Sequence, residues 1–335
     1  MVKILNSYLN TRNMKYQSIL LLSLLLGVYC ITIPIHVQAQ AVKPWWPHPQ
    51  WGAGDQAGAS NWITPEKILQ AVSLVRTGKT YEMGQVYENT MPTGNRTYKL
   101  VIPSFPTHGP IGEEKVVFND EFLSAEIGQV GTQFDGLGHV GMQMPRSDGS
   151  VTEVFYNGFT KEDMRNPYGL LKLGIEHIKP IITRGLLIDI AGLRGVSTVP
   201  DSLELSLAEV RSALARQGIA ESWIQPGDAL FFNFGWWRHW PGPEATHAGK
   251  RPKINMDVVR WLIDQKPSMV GSDAILDGTV FNVHTELTMK QGVFNLEWMN
   301  FKEMSEDKAY QFLFIFTPIR FKGATGSPGR PVGIR

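Results

Sequence analysis

The sequence predicts an α/β fold: a single domain with a mixed β-sheet core and flanking helices. Three observations carry that reading. Short β-type runs alternate with amphipathic helical segments in the second half of the chain, β-type runs cluster in the first half, and no linker or 20–50-residue repeat interrupts them. A length of 335 residues permits two domains, but without a linker one large domain is the simpler organisation. Hydrophobic residues at 43% and charged residues at 19% describe an ordinary globular core. With 32 Lys+Arg against 31 Asp+Glu, no global basic field exists to favour nucleic acid.

In chain order, residues 1–16 carry Lys3, Arg12 and Lys15 and no acidic residue. Residues 19–33 are uncharged and Leu-rich, and Val37-Gln38-Ala39 offers a small-x-small cleavage site. That order is the pattern of a secretory signal peptide over residues 1–39. A membrane anchor would need ~20 apolar residues, and Pro34 and His36 end the run before that. Met14, followed by Lys15, is an alternative start. The mature protein is therefore expected to be soluble and exported, periplasmic or secreted. Cys30, the only cysteine, leaves with the signal. A metal site in the mature chain must then use His, Asp, Glu or amide oxygens.

Residues 40–60, with Trp45, Trp46, Pro47, Pro49 and Trp51, read as an irregular Trp/Pro-rich arm preceding a domain over 61–335. Thr64-Pro65-Glu66 starts a helix, with Thr64 as cap and apolar residues at Ile68, Ala71, Val72 and Val75 up to Gly78. Strands are expected at 98–102, 115–118, 185–190, 228–234 and 268–271, and helices at 206–217 and 257–264.

Several motifs fail in context. Thr77-Gly78-Lys79-Thr80 lacks the upstream glycine of a phosphate loop and reads as a helix C-cap. Gly136, Gly138 and Gly141 have dinucleotide-fingerprint spacing, but Pro145 and a polar turn follow where a helix is needed. His284-Thr285-Glu286 has deaminase spacing without cysteine ligands. The stretch that survives is Gln129, Gly131, Gln133, Asp135 and His139. In an extended chain the first four share a face, and Gly136 and Gly138 let the chain turn His139 back. A carboxylate flanked by amide oxygens, with a histidine beyond a glycine turn, suits a hard divalent cation with a base nearby. A polar strand edge with ordinary glutamine hydrogen bonds is the alternative.

The same stretch resembles the signature of the metal-dependent cyclase family of kynurenine formamidase-like and isatin hydrolase-like hydrolases, His-x-Gly-Thr-His-x-Asp-x-x-x-His. Gly131, Thr132, Asp135 and His139 match. Trp51-Gly52, Asp55, Gly58 and Asn61 resemble the opening of longer members, Gly271-Ser272-Asp273 an internal strand-end turn, and 326–331 the closing segment. The resemblance implies a cyclase-like (swivelling β/α) fold. It also implies Asp135, His284 and Glu297 as metal ligands and His139 as general acid/base. Gln129 and Gln133 stand at the two motif histidines. A neutral amide oxygen is a weaker, harder ligand than imidazole, so zinc should be penalised relative to manganese, magnesium or calcium. The implied activity is hydrolysis of a small, cyclic or aryl amide, formamide or lactone. Alternatives are a non-catalytic binding relative, or a lyase or isomerase on the same site. Trp51, Trp62, His108 and Trp236 are candidate substrate contacts, and core packing is the competing role for the tryptophans. Relatives imply a homo-oligomer, with the arm packing on a neighbouring subunit.

Overall fold

The runs 185–190 and 228–234 lack polar alternation, as a strand covered on both faces requires. In the computed structural model, which describes residues 44–242, 250–277 and 281–335, both runs are buried. They lie in a nine-stranded mixed sheet. Its strands are β1 (Thr80–Glu82), β2 (Gln133–Asp135), β3 (Ile181–Asp189), β4 (Ala229–Asn233), β5 (Met269–Ser272), β6 (Phe294–Glu297), β7 (Gln311–Phe316), β8 (Gly326–Pro328) and β9 (Val332–Ile334). The spatial order is β1-β9-β7-β3-β4-β5-β6-β2-β8. β3 to β6 run parallel. β2 and β8 extend one side and β7, β9 and β1 the other, each antiparallel to its neighbour.

Strand parity divides the core in two. Leu186, Ile188, Leu230, Phe232 and Val270 face one layer. Leu187, Ala229, Phe231, Met269 and Phe294 face the other. The first layer is covered by the helices Leu207–Arg216 and Met256–Gln265, through Val210, Leu214, Val258 and Leu262. Ser206 and Asn255 cap these helices by accepting backbone N–H bonds. Truncating a fully buried phenylalanine such as Phe231 or Phe232 would cost about 3–5 kcal/mol.

The helix begun at Thr64 is Pro65–Val72, shorter than the expected run to Gly78. Ser73 N–H and Leu74 N–H bond back to Leu69 and Ala71 carbonyls, tightening the last turn and ending it. Gly78, at φ 71°, serves the turn into β1 and is not a helix cap. This first helix buries Lys67, whose ammonium pairs with Asp228. Arg184 also pairs with Asp228, its Nε at 3.1 Å from Oδ1 and its Nη2 at 2.5 Å from Oδ2. Asp228 and Arg184 sit at the amino ends of the paired β4 and β3 segments.

Residues 1–43, which include the expected signal peptide, lie outside the described residues. The described part of the arm packs into the domain, where Trp51 lies against the first core layer. The His48 ring stacks on Trp51 at 4.0 Å. Asn157 Oδ1 accepts from His48 N at 2.7 Å. Elsewhere, 98–125 forms two nested antiparallel pairs: Tyr98–Val101 with Phe122–Ala125 and, between them in sequence, the hairpin of His108–Ile111 with Val116–Phe118.

Candidate metal centre

Cross-strand register builds the site. β2 lies between β6 and β8, which sets Gln133 opposite Glu297 and Asp135 opposite Asn295. The expected continuous extended run over 129–135 is not what forms; only Gln133–Asp135 is strand. Gly131 takes φ +64°, and the Tyr87 ring fills the space where its Cβ would stand, 2.4 Å away. Tyr87 Oη–H donates to the Thr132 carbonyl at 2.5 Å. The turn thus made brings Gln129 over Asp135, and Gln129 Nε2 donates to Asp135 Oδ1 at 3.1 Å. A second turn, closed by His139 N–H to the Gly136 carbonyl at 3.1 Å, brings His139 back. Gly138 is needed there because Leu170 packs 2.4 Å from where a Cβ would be.

The other wall comes from beyond β5. Asp277 accepts from Val283 N at 2.6 Å and pairs with His284 Nδ1, so it caps a π-helix, Val283–Met289, and orients the imidazole it carries. His284 Nε2 then faces Asp135 Oδ2 at 3.2 Å and Glu297 Oε1 at 3.8 Å. Asn295 Nδ2 donates to Asp135 Oδ2 at 3.2 Å and Glu297 Oε1 at 2.8 Å. Gln133 Nε2 donates to Glu297 Oε2 at 3.0 Å. His139 Nε2 is 3.8 Å from Asp135 Oδ1. The five residues expected as ligands therefore meet, and in this arrangement both glutamines present N–H groups to carboxylates.

Three buried carboxyl groups crowd this centre: Asp135, Asp277 and Glu297. Burial alone would raise the Asp135 carboxyl, but His139 and His284 hold it down at about 2. Burial and the Asp135 charge push Glu297 up to about 7. Burial opposes the charge on His284, yet Asp135 and Asp277 raise it well above the usual histidine value. Burial lowers His139 more than Asp135 raises it, and His284 and Arg96 add to the lowering. His139 is therefore a neutral imidazole at neutral pH, able to take a proton.

The centre opens on a cavity of about 280 Å³, lined among others by Arg96, His139, Arg251, Phe281, His284 and Trp298. None of the four suggested substrate contacts lines it. Trp51 and Trp62 meet edge to face at 5.5 Å against the first core layer. Trp236 is buried there, its Nε1 donating to Val199 O at 3.2 Å. His108 sits on the outer hairpin, 6.2 Å from Phe118. These are packing and hairpin positions, and the aromatic wall comes from Phe281 and Trp298. Asn295 was readable in principle from its two-residue spacing to Glu297 on one strand face. Asp277 follows β5 in an irregular segment and has no sequence signal.

The donor set fits a divalent cation. Ligand atoms of Asp135, His139 and His284 lie within 4.8 Å of one another. Gln129 Oε1 and Asn295 Oδ1 are buried with no partner among the described residues. Buried carboxylates in excess of cations cost several kcal/mol each, which a bound divalent ion offsets.

Fold and site together define an α/β protein with a buried carboxylate–histidine centre beyond the carboxyl ends of parallel strands. The family described as "Putative cyclase" matches residues 32–276, and the chain belongs to that family. It is similar to the crystal structure of a novel cyclase at 28% identity and TM-score 0.71, covering 85% of this chain and 96% of that one. Isatin hydrolase A from Ralstonia solanacearum has the same fold at 15% identity and TM-score 0.56, covering 82% of this chain and 98% of that one. So does isatin hydrolase A from Labrenzia aggregata bound to benzyl benzoate, at 14% identity and TM-score 0.55, with 78% and 94% covered. No curated protein matches the chain.

Proposed function

We propose that this chain is an exported metal-dependent hydrolase of a small amide, formamide or lactone. The observation that carries the reading is the Asp135, His139 and His284 cluster, whose two histidines line the cavity. Membership of the cyclase family and the fold shared with isatin hydrolases support it. Asp135, His284 and Glu297 would hold the cation, with Gln129 Oε1 as the added oxygen donor. A manganese, magnesium, calcium or zinc ion held there would supply Lewis acidity for a carbonyl oxygen and lower the pKa of water toward neutrality.

The chain's own groups do the rest. Asp277 fixes His284 with Nε2 toward the centre. Gln133 and Asn295 hold Glu297 in place by donating to its two oxygens. His139, neutral and facing the cavity, accepts the proton of the attacking water at Nε2 and returns it to the leaving amine or alcohol. Elemental analysis of the purified mature protein, followed by a panel of aryl formamides, cyclic amides and lactones, tests the reading. A stoichiometric divalent ion and chelator-sensitive hydrolysis are expected. A metal-free protein whose activity ignores chelator would overturn it.

A further inference from the structure

Two arginines outside the metal centre face its cavity, and neither forms an ion pair with a described carboxylate. Arg96 Nη1 donates to the Gln129 carbonyl at 3.2 Å, which ties its guanidinium to the turn that carries Gln129. Arg251 Nε donates at 3.4 Å to the carbonyl of Asp277, the residue that orients His284. Each is anchored by a single described bond to a segment of the site, and a guanidinium has five N–H donors. Among the described residues no other side-chain bond engages either guanidinium, and both residues line the cavity.

Resting on the hydrolase reading above, we infer that the substrate is an anion: a compact molecule carrying a carboxylate besides its scissile amide or ester bond. Arg96 and Arg251 take the carboxylate through charge-assisted N–H···O bonds, for which a planar guanidinium is suited. Phe281 and Trp298 border a flat apolar body. The volume of about 280 Å³ sits at the small end of ligand pockets and limits that body to roughly one or two rings.

Equilibrium calorimetry with benzoate and benzamide as probes, on the metal-loaded mature protein, tests this without requiring turnover. Benzoate is expected to bind about tenfold or more tightly than benzamide, from the strength of charged hydrogen bonds. Arg96→Met and Arg251→Met should each weaken benzoate several-fold, and the double variant should bind both probes alike. Arg251→Lys should retain part of the preference. Equal binding of the two probes by the parent protein would overturn the inference. So would an undiminished benzoate preference in the double variant, because the carboxylate would then be held by the metal alone. Failure of the hydrolysis panel leaves these binding outcomes readable, so the two proposals fall separately.

Discussion

Two buried ionic clusters occupy opposite ends of the parallel strands, and they are built on opposite plans. At the amino ends, Asp228 is surrounded by donors: Lys67, Arg184, and the Gln225 N–H at 2.8 Å from Oδ2. One carboxylate faces two cations, and all three side chains are buried. At the carboxyl ends, three carboxyl groups share His284 and His139, and two amide oxygens have no partner among the described residues. A saturated cluster locks the helix Pro65–Val72 to β3 and β4. An unsaturated one stores unmet coordination, which a structural network would not retain without a use. Burial is common to both; the surplus of acceptors is what distinguishes a site from a clasp.

The largest effect is expected where the clasp is broken. Asp228→Ala leaves Lys67 and Arg184 buried without an anion, and should cost about 3–5 kcal/mol in denaturant unfolding. Asp135→Asn, by contrast, reduces the carboxyl surplus and should cost much less stability while removing activity. Equal destabilisation by the two substitutions would erase the distinction. Next comes His139→Ala, expected to lower kcat about a hundredfold or more with metal content preserved, as read by steady-state kinetics beside elemental analysis. Turnover at the parent rate would remove His139 from the role of base.

A pH effect follows from the same surplus. In metal-free protein Glu297 titrates at about 7, against 4.5 ordinarily, in surroundings set by Asp135, Asp277, His284, Gln133 and Asn295. Between those values the folded chain keeps a proton the unfolded chain has lost. That contribution to stability is complete below 4.5 and disappears as pH rises through 7. His284, also raised, loses its contribution in the same direction. Chelator-treated protein should therefore become less stable from pH 5 to 8, by up to about 1.4 kcal/mol per unit per proton. Thermal melts of the parent and Glu297→Gln check this, the variant showing the shallower slope. Added divalent ion should restore more stability at pH 8 than at pH 5. The smallest effect concerns the clasp's support: Thr64 Oγ1 caps the helix that presents Lys67, accepting from Lys67 N at 3.3 Å. Thr64→Ala should cost about 1 kcal/mol without altering kcat.

Much of the site was legible because its residues are close in sequence or carry a recognisable motif. Asp135 and His139 could be read from one stretch, and His284 and Glu297 from family resemblance. The geometry joining them was less accessible. Gln129 reaches Asp135 through a left-handed turn at Gly131, which exists because Tyr87, from another segment, packs into the missing Cβ's space. The tryptophans were ambiguous because an indole serves core and pocket equally well by composition. Trp51, Trp62 and Trp236 entered the core layer, leaving the cavity to Phe281 and Trp298.

By itself the sequence determined what depends on local order: the capped helix at Thr64, the helix over 206–217, the uninterrupted apolar strands, the resemblance to the cyclase family, and a chemistry restricted to oxygen and imidazole donors. Tertiary structure alone decided what depends on meeting across distance. It set Gln133 against Glu297 by antiparallel register, turned His284 by Asp277, and brought Arg96 and Arg251 to one cavity. The reason is physical. Caps and periodicity are enforced by neighbouring residues, whereas proton affinity, ligand geometry and the sign of a cavity's field are set by which charges folding brings together.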